Sequence, residues 1–239
     1  MIIIKPEIQV EKYDGVRIMK HIERACRTCY RSEGSISKES YKHLIKNCIA
    51  REHQSVLEHE KVTIRMTCDI GVYKDLTRHR FASFSIESTR YCNYGKDRFE
   101  NQIKFIEPVF YNENWKLRNY EGSAMDEEEL KSFMWHNCME DIEGYYMDMS
   151  KLGYKPDELR MILPHSTASE VTMTADITEW RHILKLRCSK KAHPSIQQLL
   201  IPLLLKFKID MPELFEDVPY NEEFPQEKYA KLTIIEEDD

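Results

Sequence analysis

Residues 78–90 read RHRFASFSIESTR. Arg78, His79 and Arg80 stand together, Ser83, Ser85 and Ser88 follow at short intervals, and Arg90 closes the run without a glycine. Guanidinium groups hold phosphate through paired, charge-assisted hydrogen bonds, and hydroxyls add short donors that fix its orientation. The stretch therefore suits an anion. Basic residues at a helix end also complement the negative end of its dipole, so charge alone leaves a structural reading open. The spacing is more telling: Arg-His-Arg, seven residues, then Ser88 and Arg90.

The chain of 239 residues carries a formal charge of -6. A general nucleic-acid coat needs a net basic face, so any basic site here is local and no nucleic-acid partner is expected. Core-forming residues run throughout, with no repeat, linker or composition break, which favours one domain over 1–239 with an acidic tail from about 226. The opening MIIIKPEIQV lacks the apolar core of a signal peptide, and no run is apolar for long enough to span a bilayer. The expectation is a cytoplasmic protein, away from membranes, whose seven cysteines stay reduced. None of the seven glycines falls into a G-x-G-x-x-G or P-loop pattern. A nucleotide cofactor would not be held by a Rossmann or P-loop fold.

Outward from the basic run, Val62, Ile64, Met66 and Cys68 alternate with polar residues, the period of a half-buried strand. Residues 71–79 then read as a short helix delivering the basic cluster to its end, and 83–95 as loop with some helix. Upstream, residues 2–10 read as a strand, with helices from about Val16 and over about 38–52. Downstream, 102–106 reads as a strand and the stretch to Ser123 as irregular. Residues 126–152 form the longest helical pattern, with Leu130, Phe133, Met134, Asn137, Cys138, Ile142, Tyr145, Met149 and Leu152 as its expected core stripe. Val171, Met173 and Ala175 suggest a strand, after which Asp176 or Thr178 can cap a helix carrying Trp180 and Arg187. Pro194 starts a last apolar helix, bent or broken at Pro202, and the EEDD tail is expected to be disordered or edge-bound.

No metal site is expected. Cys26 and Cys29 form a C-x-x-C without a second pair, and His53, Glu58 and His59 lack the spacing of a zinc-protease helix. Arg78, Arg90, Arg160 and Arg187 stand beside strongly patterned elements without an evident acidic partner. Together they suit a dianionic ligand plus a polar ring, one cation neutralising phosphate and another facing charge that develops during reaction. Cys92 lies near Arg90, but nothing adjacent supplies an orienting base, so no cysteine is placed as a nucleophile.

Arg78-His79-Arg80 with Ser88 and Arg90, preceded by His53-Gln54-Ser55 and Glu58-His59, resembles the signature of the flavin-dependent thymidylate synthases. Arg160 before Ile162-Leu163-Pro164, and Glu179-Trp180-Arg181-His182 followed by Leu186-Arg187 and Ala192-His193-Pro194, extend the likeness over roughly residues 15–205. The resemblance implies an α+β fold built on an antiparallel sheet, and a homotetramer with sites between subunits. It implies reductive methylation of dUMP to dTMP, with methylenetetrahydrofolate as carbon donor and FAD, reduced by NADPH, as hydride source, without an enzyme nucleophile. Carried over by position, Ser55, Arg78, His79, Arg80, Asp176, Ile177, Thr178 and His182 are flavin residues. Asp75, Leu76, Thr77, Arg78, Glu87, Ser88, Thr89, Arg90 and Arg160 are dUMP residues, Ile86 borders either ligand, and Arg187 lies beside the uracil ring as the catalytic cation. Asp75, Ser85 and Ile86 depart from the family's usual residues, and Asp75 is expected to face away or pair with an arginine. His193 reads either as a base or as structural. Alternatives are methyl or hydroxymethyl transfer to another pyrimidine nucleotide, and a non-catalytic binder of nucleic-acid phosphates.

Overall fold

The computed structural model describes residues 1–235. The chain divides into two compact units. One comprises Met1–Pro6, Thr67–Lys74 and Ile86–Val171, the other Glu7–Met66, Asp75–Ser85 and the chain from Thr172 on.

The expected strand at 2–10 is two strands, β1 (Ile2–Ile4) and β2 (Glu7–Glu11), separated at Lys5-Pro6. Proline lacks the N–H that a continuous ladder requires. Asp14 caps α1 (Gly15–Thr28), its carboxylate accepting from the Arg17 amide at 3.0 Å. α2 (Ser40–Ala50) packs against α1. At that contact Cys26 and Cys48 bring their buried sulfurs to 3.3 Å, so the C-x-x-C serves packing at one end while Cys29 is exposed.

β3 (Lys61–Asp69) follows the alternation in the sequence: Val62, Ile64, Met66 and Cys68 are all buried. α3 (Ile70–Leu76) ends two residues before Arg78, and β4 (Ala82–Ile86) follows where loop was expected. Its residues are half-buried or exposed in turn, so it has no apolar stripe to betray it. Asp176 closes β6 (Ala168–Asp176) and caps α7 (Ile177–Arg187), and the Ile177 amide donates to the Glu60 carbonyl at 3.0 Å.

The five-stranded sheet runs β4-β6-β3-β2-β7, with β7 at Lys231–Ile235. β2 pairs with β7 in parallel, Glu7 opposite Lys231 through Glu11 opposite Ile235, so the α+β sheet is mixed and not antiparallel throughout. β7 gives part of the acidic tail an edge-bound place; the EEDD end lies outside the described residues.

α8 (Pro194–Asp210) packs on α7, β2, β7 and the short α9 (Pro212–Phe215). It is not broken at Pro202. Proline there removes the amide that would bond the Gln198 carbonyl, and that carbonyl instead accepts the Ala230 amide at 3.0 Å. His193 caps α8, its Nδ1 accepting from the Ser195 amide at 3.2 Å, a contact of the kind the structural reading expects.

In the other unit β1 pairs in parallel with β5 (Lys104–Ile106). The stretch expected to be irregular holds α4 (Asn114–Glu121). α5 (Glu127–Lys151) starts with a reciprocal capping box between Asp126 and Glu129 and is followed by Gly153 at φ 90°. Its core face is only partly the expected one: Phe133, Asn137, Ile142 and Met149 are half-buried, and Ile142 and Met149 pack against the core. Met139 and Tyr146 pack with Tyr94, Ile103, Phe105 and Leu159, whereas Leu130, Met134, Cys138, Tyr145 and Leu152 are exposed. α6 (Pro156–Leu159) starts on its proline and passes into a turn at Arg160. No described helix is long and apolar enough to cross a membrane.

Candidate active site

Within the unit built on Glu7–Met66, Asp75–Ser85 and the chain from Thr172, a cavity of about 920 Å³ opens between the segment after α3 and the first turns of α7. Arg78, His79 and Arg80 line it from one side, Asp176, Thr178 and His182 from the other. Local structure sets each group. The Asp176 carboxylate accepts the Glu179 amide at 2.8 Å, and the Thr178 hydroxyl donates to the Gln54 carbonyl at 2.9 Å. Four-residue spacing then brings His182 over Thr178 on the helix surface.

His79 differs from its neighbours in the basic run. Arg78 and Arg80 are exposed, while His79 is buried, its amide donating to the Leu76 carbonyl at 3.0 Å. Its Nε2 lies 3.1 Å from Nε of Arg187 and its Nδ1 3.2 Å from Oε1 of Glu179. Arginine only donates, so Nε2 must be the acceptor and Nδ1 must carry the proton that goes to Glu179. Burial first, then the charge of Arg187 and of His182, pushes the His79 pKa down to about 4, against a smaller opposing effect of Asp75. The ring is neutral at neutral pH. Arg187 also donates through Nη2 to the Asp75 carbonyl at 2.8 Å, and its Nη1 lies 3.8 Å from Oδ2 of Asp75. The departure at Asp75 thus resolves as a pairing with arginine.

Arg181 is buried in the cavity wall, which it helps to line. It holds Asp217 through both terminal nitrogens, at 2.7 and 2.8 Å, and donates to the Leu214 carbonyl. Its Nε is buried without a hydrogen-bond partner. Arg78, Arg80 and Lys185 add exposed cations along the same cavity. A volume near the upper end of the ~300–1,000 Å³ common for ligand sites, cations for phosphates and hydroxyl and imidazole groups for a polar ring together fit a dinucleotide such as FAD. His79, Glu179 and His182 also bring ligand atoms within 4.8 Å of one another. A metal there would face the fixed charge of Arg187 across Nε2 of His79 and would displace the Nδ1 proton from Glu179, so this donor set suits a hydrogen-bond network better.

Other nominated residues lie elsewhere. Ser55 is exposed and does not line the cavity, though its neighbour Gln54 does; Thr77 is exposed. Leu76 and Ile177 are fully buried, so a ligand at those positions would meet their backbones rather than their side chains. In the other unit, Ile86 ends β4 half-buried, and the Glu87 amide donates to the Glu170 carbonyl at 2.9 Å while its carboxylate accepts the Tyr94 hydroxyl at 3.1 Å. The Ser88 hydroxyl accepts the Arg90 amide at 3.4 Å, Thr89 is half-buried, and the exposed Arg90 lies over the Tyr91 ring at 5.6 Å. Arg160 is exposed at the end of α6.

Glu179, Arg181 and Asp217 went unnoticed in the sequence as site residues. An acid in the first turn of a helix reads as a dipole complement, and only the fold reveals that Glu179 is turned inward.

A model of the Thy1 family, thymidylate synthase complementing protein, matches residues 16–213. The flavin-dependent thymidylate synthase of Corynebacterium efficiens is 26% identical over 200 residues, covering 82% of this chain and 78% of that protein. The enzyme of the same name from Thermosipho melanesiensis is 28% identical over 193 residues, covering 81% and 82%. Among solved structures, thymidylate synthase X from Helicobacter pylori, crystallised with FAD and dUMP, superposes with a TM-score of 0.67 over 89% of this chain and 98% of that one, at 24% identity.

Proposed function

Since the chain belongs to the Thy1 family and is a flavin-dependent thymidylate synthase, we propose that it converts dUMP to dTMP by reductive methylation, with methylenetetrahydrofolate as carbon donor. Bound FAD, reduced by NADPH, supplies the hydride, and folate leaves as tetrahydrofolate. The enzyme works as a cytoplasmic homotetramer with its sites at subunit interfaces, and it needs no nucleic acid or membrane.

The observation that carries this reading is the immobilisation of Arg187. Its guanidinium is tied at Nε to His79 and at Nη2 to the Asp75 carbonyl, so it has little freedom left to lose when a ligand arrives. A cation fixed beside the uracil ring stabilises negative charge at N3 and O2 and makes C5 more nucleophilic. Arg78 and Arg80, exposed at the cavity, are placed to hold the flavin's phosphates, with His182 and Thr178 offering polar contacts to its rings. Ser88 and Arg90 hold the nucleotide's phosphate. Ser88 accepts a backbone amide and, among the described residues, is bonded to no side-chain base, which suits a binding hydroxyl rather than an attacking one.

Three of the cysteines are poorly placed for nucleophilic attack. Burial, with the Glu87 carboxylate, pushes the Cys92 thiol up despite Arg98, and burial does the same for Cys68 and Cys188. Thiols held protonated are poor nucleophiles. Two measurements test the reading together: the visible spectrum of the purified protein, and mass analysis after incubation with NADPH, labelled methylene donor and dUMP, UMP or dCMP. A flavin spectrum and label in dUMP alone are expected. A colourless protein that binds nucleic acid with a steep salt dependence would overturn the reading, and label in UMP or dCMP would reassign the acceptor.

A further inference from the structure

Within the proposed reaction, which this inference takes as its ground, we propose that Glu179 is a positioning residue: through His79 it holds Arg187 in place against the pyrimidine. Three side chains in series make the case. Oε1 of Glu179 lies 3.2 Å from Nδ1 of His79, and Nε2 of His79 lies 3.1 Å from Nε of Arg187. The His79 and Glu179 side chains are 5% and 10% exposed, so water does not compete freely for either bond.

A neutral imidazole has one donor and one acceptor nitrogen, and the hydrogen bond made at one nitrogen selects the role of the other. Arg187 presents only N–H groups, so it is held by His79 only while Nε2 carries a lone pair. Glu179, an acceptor at Nδ1, enforces that tautomer. Without it the ring is free to carry its proton on Nε2, where it would meet the Arg187 N–H head-on. The other groups around the ring cannot replace it. From α7, His182 meets the ring edge-on with centroids 5.7 Å apart and Arg187 is the group being held, while Asp75, from the segment before His79, is engaged by Arg187.

Glu179 itself is set from below. Its amide is capped by Asp176, which fixes the first turn of α7, and burial raises its carboxyl pKa, with Asp176 adding to the rise and His182 opposing it. An acid so placed costs stability, and a role at the ring explains its presence on the inner face of the helix.

The test compares wild type, Glu179→Leu and Glu179→Gln by histidine ¹⁵N spectra and by steady-state kinetics. Wild type should show His79 as the neutral Nδ1–H tautomer. In Glu179→Leu the signal should move toward Nε2–H and kcat should fall by roughly tenfold to a hundredfold, as for loss of a hydrogen bond to a charged group, with KM for dUMP changed less than kcat. Glu179→Gln keeps an acceptor and should recover the tautomer and most of the lost rate. An Nε2–H tautomer in wild type, an unshifted tautomer in Glu179→Leu, or a leucine variant with unchanged kcat would overturn the proposal. The spectra are read without turnover, so a correct tautomer in a chain that does not methylate dUMP would fail the functional reading and not the positioning.

Discussion

His79 titrates near pH 6.5 in an unfolded chain, and burial with the nearby charges of Arg187 and His182 holds it at about 4 in the fold. Between those values the unfolded chain binds a proton that the native ring refuses. Stability contributed by the neutral ring is therefore complete above about pH 6.5 and is lost progressively as pH falls toward about 4. His79→Gln cannot protonate there, so its unfolding free energy should decline less steeply than that of wild type over this interval. Urea titrations at a series of pH values check this, and parallel slopes would contradict a buried neutral His79. The residue shows how far sequence can go. Arg78-His79-Arg80 reads as three cations, and two are, but the burial that makes the middle one a neutral acceptor depends on α7, a hundred residues downstream. Arg187 stood out in the sequence; Glu179, which bonds the same His79, did not, because nothing in an E-W-R-H run says which way the acid faces.

At the level of elements, α1 enters its packing so closely that Gly15 has no room for a side chain. A Cβ there would lie 2.5 Å from the Asp210 carbonyl oxygen and 2.8 Å from the Met211 side chain. Alanine favours helix over glycine by about 1 kcal/mol, yet overpacking against backbone costs about 1–3 kcal/mol. Gly15→Ala should thus destabilise the protein in a denaturant titration, and a stabilised variant would contradict the close approach. Pro202 carries the opposite expectation. An interior proline ordinarily costs ~3 kcal/mol against alanine, but here the orphaned Gln198 carbonyl is already satisfied by Ala230. Pro202→Ala should therefore gain no more than about 1 kcal/mol by urea unfolding, and the full gain would mean that the Ala230 bond contributes nothing. The same element explains why the sequence suggested a break: the bond that accommodates Pro202 comes from residues just before β7. Elements with strong local patterns, β3 and the capped α7, were readable. β4 was not, since its serines and half-buried residues give no apolar alternation, and α5 misled because a long helix with apolar residues on several sides does not say which side is covered.

For the molecule as a whole, the resemblance distributes its nominated residues between the two units. Most of the flavin positions line one cavity in the unit that carries α7, and Ile86 to Arg90 with Arg160 belong to the other. Length and charge excluded broad classes but could not give the activity, which came from the spacing of a few residues and then from family membership. The proposed chemistry rests on one group, the guanidinium of Arg187, held by the Asp75 carbonyl and by His79, which lines the cavity where Arg187 itself does not. In the proposed reaction it serves the pyrimidine and not the flavin. The most direct test follows transfer of labelled methylene carbon to dUMP in a single turnover, for wild type and for Arg187→Ala with matched flavin content. The account predicts labelled dTMP from wild type and none from a variant that keeps its flavin spectrum. Labelled dTMP formed at the wild-type rate by Arg187→Ala, or its absence from flavin-loaded wild type, would contradict it.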